Sequence, residues 1–144
     1  MSDIQEDQQK IIDEFRVLSD WTERYKHIIA IGQKLSPLDE QYKIEDNLVR
    51  GCQSQVWLHT TFDEGRVTFE ADSDAAITKG LVALLVRFYS GRTPNEIIQT
   101  DPIFIKKIGM QEHLSPTRSN GLASMVKQMK IYAMAYKSKA EQDT

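Results

Sequence analysis

The stretch that most constrains the fold is residues 75–90. Ile77, Leu81, Val82, Leu84, Leu85, Val86 and Phe88 leave little polar surface on a helix drawn through it. A helix that is apolar most of the way round is buried by neighbours on several sides. Ala71-Asp72-Ser73-Asp74 precedes it and offers carboxylates and a hydroxyl to the orphan N–H groups of its first turn. Gly91 follows as a left-handed stop. The longest strongly apolar run, Leu81 to Val86, is far too short to cross a bilayer. The chain is therefore expected to spend this apolar surface on its own core, and 144 residues suffice for one domain with such a core.

The flanking segments read as cover for that helix. Residues 5–18 predict a first helix, with Ile11, Phe15 and Leu18 on one stripe and Ile12 beside them. Asp20-Trp21-Thr22-Glu23 reads as a capping box opening a second helix to about Leu35. Ser36-Pro37 ends it, because the residue before proline resists the α region. After a polar, irregular stretch over 36–47, Leu48-Val49-Arg50 predicts a short strand. Gln55 to Thr60 and Arg66 to Glu70 alternate as two more, joined through Asp63-Glu64-Gly65 as a hairpin with a longer loop. Thr93-Pro94-Asn95-Glu96 is a second capping box, for a short helix to about Thr100, and 102–109 allow another helical turn. From Ser115-Pro116 the strongest periodic signal of the chain begins, through Leu122, Met125, Val126, Met129, Tyr132, Ala133 and Tyr136. The tail after Lys137 is polar and expected to fray. The expected class is α+β: a small three-stranded antiparallel sheet packed against helices, in a single domain over 1–144.

One residue stands out chemically. Cys52 is the only cysteine, in Gly51-Cys52-Gln53-Ser54-Gln55-Val56-Trp57. Gly51 frees the backbone before the sulfur, the next three residues are polar, and a β-prone run follows, so the thiol belongs to a loop entering a strand. A lone cysteine forbids an intramolecular disulfide, which fits a reducing compartment. The N-terminus lacks the basic and apolar blocks of a signal peptide, and the expectation is a cytoplasmic protein.

Other chemistries find little support. His27, His59 and His113 are far apart, and none is paired with cysteine at ligand spacing, so no metal is expected. Nucleotide fingerprints and the GxSxG elbow are absent. A formal net charge of −3 gives no general case for nucleic acid. Three uses of the thiol remain open. It could be packed in an interaction module. It could be a hydrolase nucleophile with His59 or His113 as base. Or it could be a sulfur carrier, attacking a donor persulfide and holding the sulfur as Cys–S–SH. The last needs no base triad and benefits from having no second thiol nearby.

Three blocks resemble the SufE family of sulfur acceptors, which includes the closely related CsdE proteins. They are Asn47-Leu48-Val49-Arg50-Gly51-Cys52-Gln53-Ser54-Gln55-Val56-Trp57-Leu58, then Asp72-Ser73-Asp74-Ala75 with Lys79-Gly80-Leu81, then His113-Leu114-Ser115-Pro116 with Arg118, Asn120, Gly121 and Leu122. The likeness runs from about residue 10 to about 138. It departs at Met110, where leucine is common, and at Thr117, where serine is common. The resemblance implies a fold like that of the iron–sulfur scaffold proteins. It implies that Cys52 takes persulfide sulfur from a PLP-dependent cysteine desulfurase (SufS- or CsdA-like), stimulates that enzyme, and passes sulfur toward iron–sulfur cluster assembly, with the scaffold complex as a further partner. PLP belongs to the desulfurase, so no cofactor is expected here, nor a nucleic acid or membrane partner. Gly51, Gln53, Ser54, Gln55, Asp74, His113 and Arg118 are the supporting residues. Gln53, Ser54 and Gln55 are expected to shield the persulfide by hydrogen bonding. Asp74 is either an N-cap or an interface residue. Arg118 falls in the first turn of the last helix, where a cation opposes the dipole. It is expected to meet a carboxylate, internal or on the partner, or to lower the Cys52 pKa, and His113 could act similarly.

Overall fold

A computed structural model describes residues 3–52, 54–109 and 114–142. Helix α1 (Ile4–Arg16) turns Ile4, Gln8, Ile11 and Phe15 inward, and α2 (Trp21–Gln33) buries Ile28 and Gly32. The Asp20 carboxylate accepts from the Glu23 N–H at 2.8 Å. Glu23 reaches back to the Ser19 N–H, at 3.2 Å, so the reciprocal half of the expected box is shifted by one residue. The irregular stretch then coils into two 3₁₀ turns, Glu40–Tyr42 and Glu45–Asn47, tied together where the Asn47 amide donates to the Tyr42 carbonyl at 2.8 Å.

The sheet has two strands, β1 (Val56–Asp63) and β2 (Arg66–Ser73), paired antiparallel from Val56 opposite Ser73 to Asp63 opposite Arg66. The expected third strand does not form. Leu48 makes a single isolated bridge to Trp57, and the Val49 N–H donates to the Val56 carbonyl at 2.8 Å. The reason is local. The 3₁₀ turn occupies the chain up to Asn47, and Gly51 at φ +89° swings it out of the sheet plane four residues later. The hairpin loop is also tighter than expected: Glu64 and Gly65, both at positive φ, close a two-residue turn, the geometry whose twist suits a right-twisted ribbon.

Val56, Leu58, Val67, Phe69 and Ala71 form the inner face of the sheet. Across it lies α3 (Ala76–Tyr89), the apolar helix, with nine of its residues buried. On its other side α2 crosses at backbone contact. A β-carbon on Gly80 would stand 2.1 Å from the Ile28 carbonyl oxygen. Gly91, at φ +81°, ends α3 as expected, and the following residues pair with β2 through a Val67–Arg92 bridge. The Thr93–Glu96 capping box is complete and opens α4 (Pro94–Gln99), and α5 (Phe104–Lys107) follows.

The last helix, α6 (Pro116–Gln142), buries Leu122, Met125, Met129 and Ala133. It runs beyond the expected fraying point at Lys137. Tyr136 stacks on Phe62 at 4.9 Å, and Lys137, Ala140 and Glu141 line a shallow cleft with Gly65, Thr93 and Pro94, so its last turns have tertiary neighbours. Buried side chains from α1 through α6 make one continuous cluster.

Candidate functional site

Cys52 sits where the loop after Gly51 meets β1, α3 and α6. Its side chain is half-buried. The Sγ–H group donates to the Gly121 carbonyl of α6 at 3.6 Å, a length suited to the weak thiol donor. Gly121 is the residue that lets the loop come so close: a β-carbon there would lie 3.2 Å from Sγ and 3.3 Å from the Cys52 Cα. Gly51 presses on the same helix, with a hypothetical β-carbon 2.9 Å from Ser124 Oγ, in a left-handed conformation that glycine adopts without strain.

The sulfur borders a cavity of about 20 Å³, lined by Ser54, Val56, Thr78, Leu81, Val82, Arg118, Gly121, Leu122 and Met125. That volume admits one water-sized group and no more. Most of the wall is apolar. Among the described residues, two hydroxyls and one guanidinium are its polar side chains beside the thiol. Burial pushes the Cys52 thiol above its ordinary value, because a thiolate would lose its hydration here. The docked thiol is therefore neutral at physiological pH. Arg118 borders the cavity, as its place in the first turn of α6 allows, yet the expected lowering of the Cys52 pKa does not occur; desolvation prevails.

The loop is held at its far side by Asp74. The Asp74 carboxylate accepts from the Gln55 N–H at 3.0 Å, and the Asp74 N–H donates to the Gln55 carbonyl at 3.3 Å. Asp74 is thus a tie between the cysteine loop and the β2–α3 junction. The N-cap role falls elsewhere: Ala75 occupies that position without a side-chain cap, and Ser73 Oγ accepts from the Ala75 N–H at 3.3 Å. Neighbouring Asp72 is buried between Lys43 and Lys79 at 3.3 and 3.4 Å. Burial alone would raise its carboxyl pKa, but the Ser73 N–H and the two ammonium groups outweigh burial and hold it below the ordinary value.

The expected supporting residues separate into distinct places. Gly51, Ser54 and Arg118 gather around Cys52. Gln55 is exposed and contributes its backbone rather than a shielding side chain. The Arg118 N–H donates to Ser115 Oγ at 3.2 Å, and its guanidinium meets no carboxylate among the described residues. Gln53 and His113 lie outside the described residues. His59 does not line the cavity; its ring stacks on Tyr42 at 3.7 Å, on the outer face of β1. Sequence reasoning does not reach Thr78, Gly121 and Met125 as site residues. The one signal for Gly121 is a glycine inside an otherwise helical pattern, which commonly marks close packing. Among the described residues no cluster of three or more metal-ligating side chains exists, and no helix is long and apolar enough to cross a membrane.

Comparison with known proteins agrees with this geometry. The family model described as "SufE: Fe-S metabolism associated domain" matches residues 9–133. The chain is 44% identical over 137 residues to SufE-like protein 1, chloroplastic/mitochondrial, of Arabidopsis thaliana, covering 94% of this chain but 37% of that protein. It is 41% identical over 127 residues to an uncharacterized SufE-like protein of Synechocystis, covering 88% of this chain and 80% of the relative. An uncharacterized SufE-like protein of Rhizobium meliloti is 44% identical over 129 residues, with 86% and 92% covered. The solution structure of a hypothetical protein from Thermus thermophilus shares the fold at a TM-score of 0.75 and 20% identity, covering 91% of this chain and 96% of that one. The matched segment includes the cysteine loop, the Asp74 tie and the glycine of α6 against which the sulfur rests, and the chain belongs to the SufE family.

Proposed function

We propose that Cys52 is a sulfur carrier that accepts sulfane sulfur from the persulfide of a PLP-dependent cysteine desulfurase and passes it toward iron–sulfur cluster assembly. The observation that supports this most is the pairing of a lone thiol with a cavity that has room for one more small group. Family membership supports the link to iron–sulfur metabolism.

The chemistry is thiol exchange. Cys52 as thiolate attacks the outer sulfur of the donor persulfide. The new S–S bond forms to Cys52, the donor's S–S bond breaks, and the donor sulfur leaves as a thiolate. The proton of the outer sulfur travels with it, giving Cys52–S–SH. No atom of the carrier is oxidised without the donor being reduced in step.

The docked thiol is neutral and half-covered, so attack requires the loop to leave its cavity. Few bonds oppose that. Sγ–H to Gly121 is weak, Ser54 and Thr78 share one hydroxyl–hydroxyl bond, and Asp74 supplies a carboxylate acceptor on the far side. Gly51 provides a backbone position free to rotate. In the partner's active site the thiol ionises outside the apolar wall. After transfer the loop returns, and the outer sulfur enters the space beside Cys52, away from adventitious thiols. Clearing the donor's persulfide in this way would stimulate the desulfurase, and the protein needs no cofactor of its own. The Arg118 guanidinium beside the loop, without a carboxylate among the described residues, suits one on the partner. A reducing compartment fits the free thiol. The cytoplasm is our reading, while the Arabidopsis relative is named as chloroplastic/mitochondrial.

The test is sulfur-35 transfer from labelled cysteine through the desulfurase, read by intact mass as a gain of one sulfur on the Cys52 peptide. Wild type should carry label and Cys52→Ser none. Equal labelling of the serine variant would end the carrier reading.

A further inference from the structure

The cavity treats a thiol and a persulfide differently. A thiol at Cys52 has one proton to place, and the Gly121 carbonyl accepts it. A persulfide has no proton on its inner sulfur, so that bond is lost on loading. The outer sulfur then lies in the cavity. There the polar side chains among the described residues can all donate: Ser54 Oγ and Thr78 Oγ1, 3.3 Å apart and hydrogen-bonded to each other, and Arg118. Thr78 is 8% exposed, on the first turn of α3, and its hydroxyl bonds to no carbonyl or carboxylate among the described residues. Two hydroxyls that bond only to each other use one O–H between them, so the pair retains donor capacity for a third group. The start of α3 carries no side-chain cap, so the positive end of its dipole adds to the same preference for negative charge.

We propose that Ser54 and Thr78 together form a two-hydroxyl cradle that hydrogen-bonds the outer sulfur of a Cys52 persulfide and holds it as its anion. This rests on the carrier reading above and assigns what stabilises the cargo. Loading exchanges the hydroxyl–hydroxyl bond and the Sγ–Gly121 bond for donation to sulfur. The outer S–H proton passes to solvent, and no covalent bond other than S–H breaks. Among the described residues, the titratable or charged groups facing this sulfur are Arg118 from α6 and, across the loop, Asp74, whose carboxylate is committed to the Gln55 N–H. Ser54 and Thr78 are positioning residues: they set the charge and direction of the sulfur and do not react.

The cradle would give a selectivity the apolar walls cannot provide. A neutral S–SH or a methyl-sized apolar group satisfies the volume equally well. Only the persulfide anion satisfies both hydroxyls, so the cavity favours the one state in which the sulfur is a strong nucleophile for onward transfer.

The test loads purified protein with inorganic polysulfide, without desulfurase, and confirms one added sulfur on Cys52 by intact mass. The pH dependence of iodoacetamide alkylation is then measured for loaded and unloaded forms of wild type, Thr78→Val and Thr78→Ser. Valine keeps the shape of threonine and removes the donor; serine keeps the donor. In the loaded form Thr78→Val should raise the alkylation midpoint by about one pH unit, a tenfold loss of anion, the size of one charge-assisted hydrogen bond. Thr78→Ser should restore it, and the midpoints of the unloaded thiols should coincide. Loaded midpoints that coincide, or thiol and persulfide midpoints that move together, would overturn the cradle while leaving the carrier reading intact. Wild type that takes up no sulfur at Cys52 would remove both.

Discussion

Gly121→Ala isolates the docking of the cysteine loop from the stability of the fold. The new β-carbon would stand 3.2 Å from Cys52 Sγ, 3.3 Å from its Cα and 3.6 Å from its Cβ. Optimal carbon contacts lie at about 3.5–4.0 Å, so something must give by a few tenths of an ångström. Overpacking of this kind costs about 1–3 kcal/mol, at the low end where a neighbour can yield. Cys52 can yield, because its loop is held by a few single hydrogen bonds, at Asp74 and between Ser54 and Thr78, and by a long thiol contact, whereas α6 is wedged into the core. Against this, alanine in place of glycine inside a helix contributes roughly 0.5–1 kcal/mol. The two effects act on different equilibria. The helix gains what the docked loop loses. Undocking becomes easier by about 1 kcal/mol, about fivefold in population, while Tm stays within about 4 °C of wild type. The assay is the rate of reaction of native protein with an aromatic disulfide reagent at neutral pH, beside a thermal melt. A labelling rate equal to wild type, with a Tm several degrees lower, would refute the reasoning: the strain would then sit in the core, and Cys52 would not be the part that moves.

Three further outcomes follow from the same geometry. Asp74→Ala should raise the Cys52 labelling rate severalfold by removing a bond of about 1 kcal/mol, and Asp74→Asn, which keeps a carbonyl acceptor for the Gln55 N–H, should recover most of the protection. Gly80→Ala should do the reverse, lowering stability in a denaturant melt by about 3 kcal/mol or more while leaving native-state labelling unchanged, because its β-carbon would collide with the Ile28 backbone rather than with the loop. Asp72 is held below the ordinary carboxyl value in the folded chain, so its contribution is full above the unfolded value of about 3.9 and is lost as pH falls through the folded one. Acid melts of Asp72→Asn should therefore be flatter than wild type below about pH 4.

Hydrophobic period located α1, α2, α3, α6 and both strands, capping chemistry located α4, and the lone cysteine after a glycine marked the reactive loop, because these are properties of neighbours in sequence; the two 3₁₀ turns fell in a stretch read as irregular. Local reading failed where a segment could satisfy itself in more than one way. Leu48-Val49-Arg50 has strand character, yet a 3₁₀ turn before it and Gly51 after it leave room for one bridge. Asp74 has cap chemistry, and the loop claimed its carboxylate first. Residues 138–142 look like a fraying tail, but Tyr136 on Phe62 anchors the turn before them.

The sequence by itself determined that α3 is a buried helix, that Cys52 lies in a loop at the mouth of a strand, and that no second thiol of this chain can discharge it. Tertiary structure decided everything about the sulfur's surroundings: the cavity, the Gly121 carbonyl, the Ser54–Thr78 pair and the burial that pushes the thiol above its ordinary value. Its walls come from three segments of the chain, and the bond from Cys52 to Gly121 alone spans 69 residues. Periodicity says which face of a helix turns away from water, but not which other face it meets, and it is that meeting that sets the space and the polarity around a single atom.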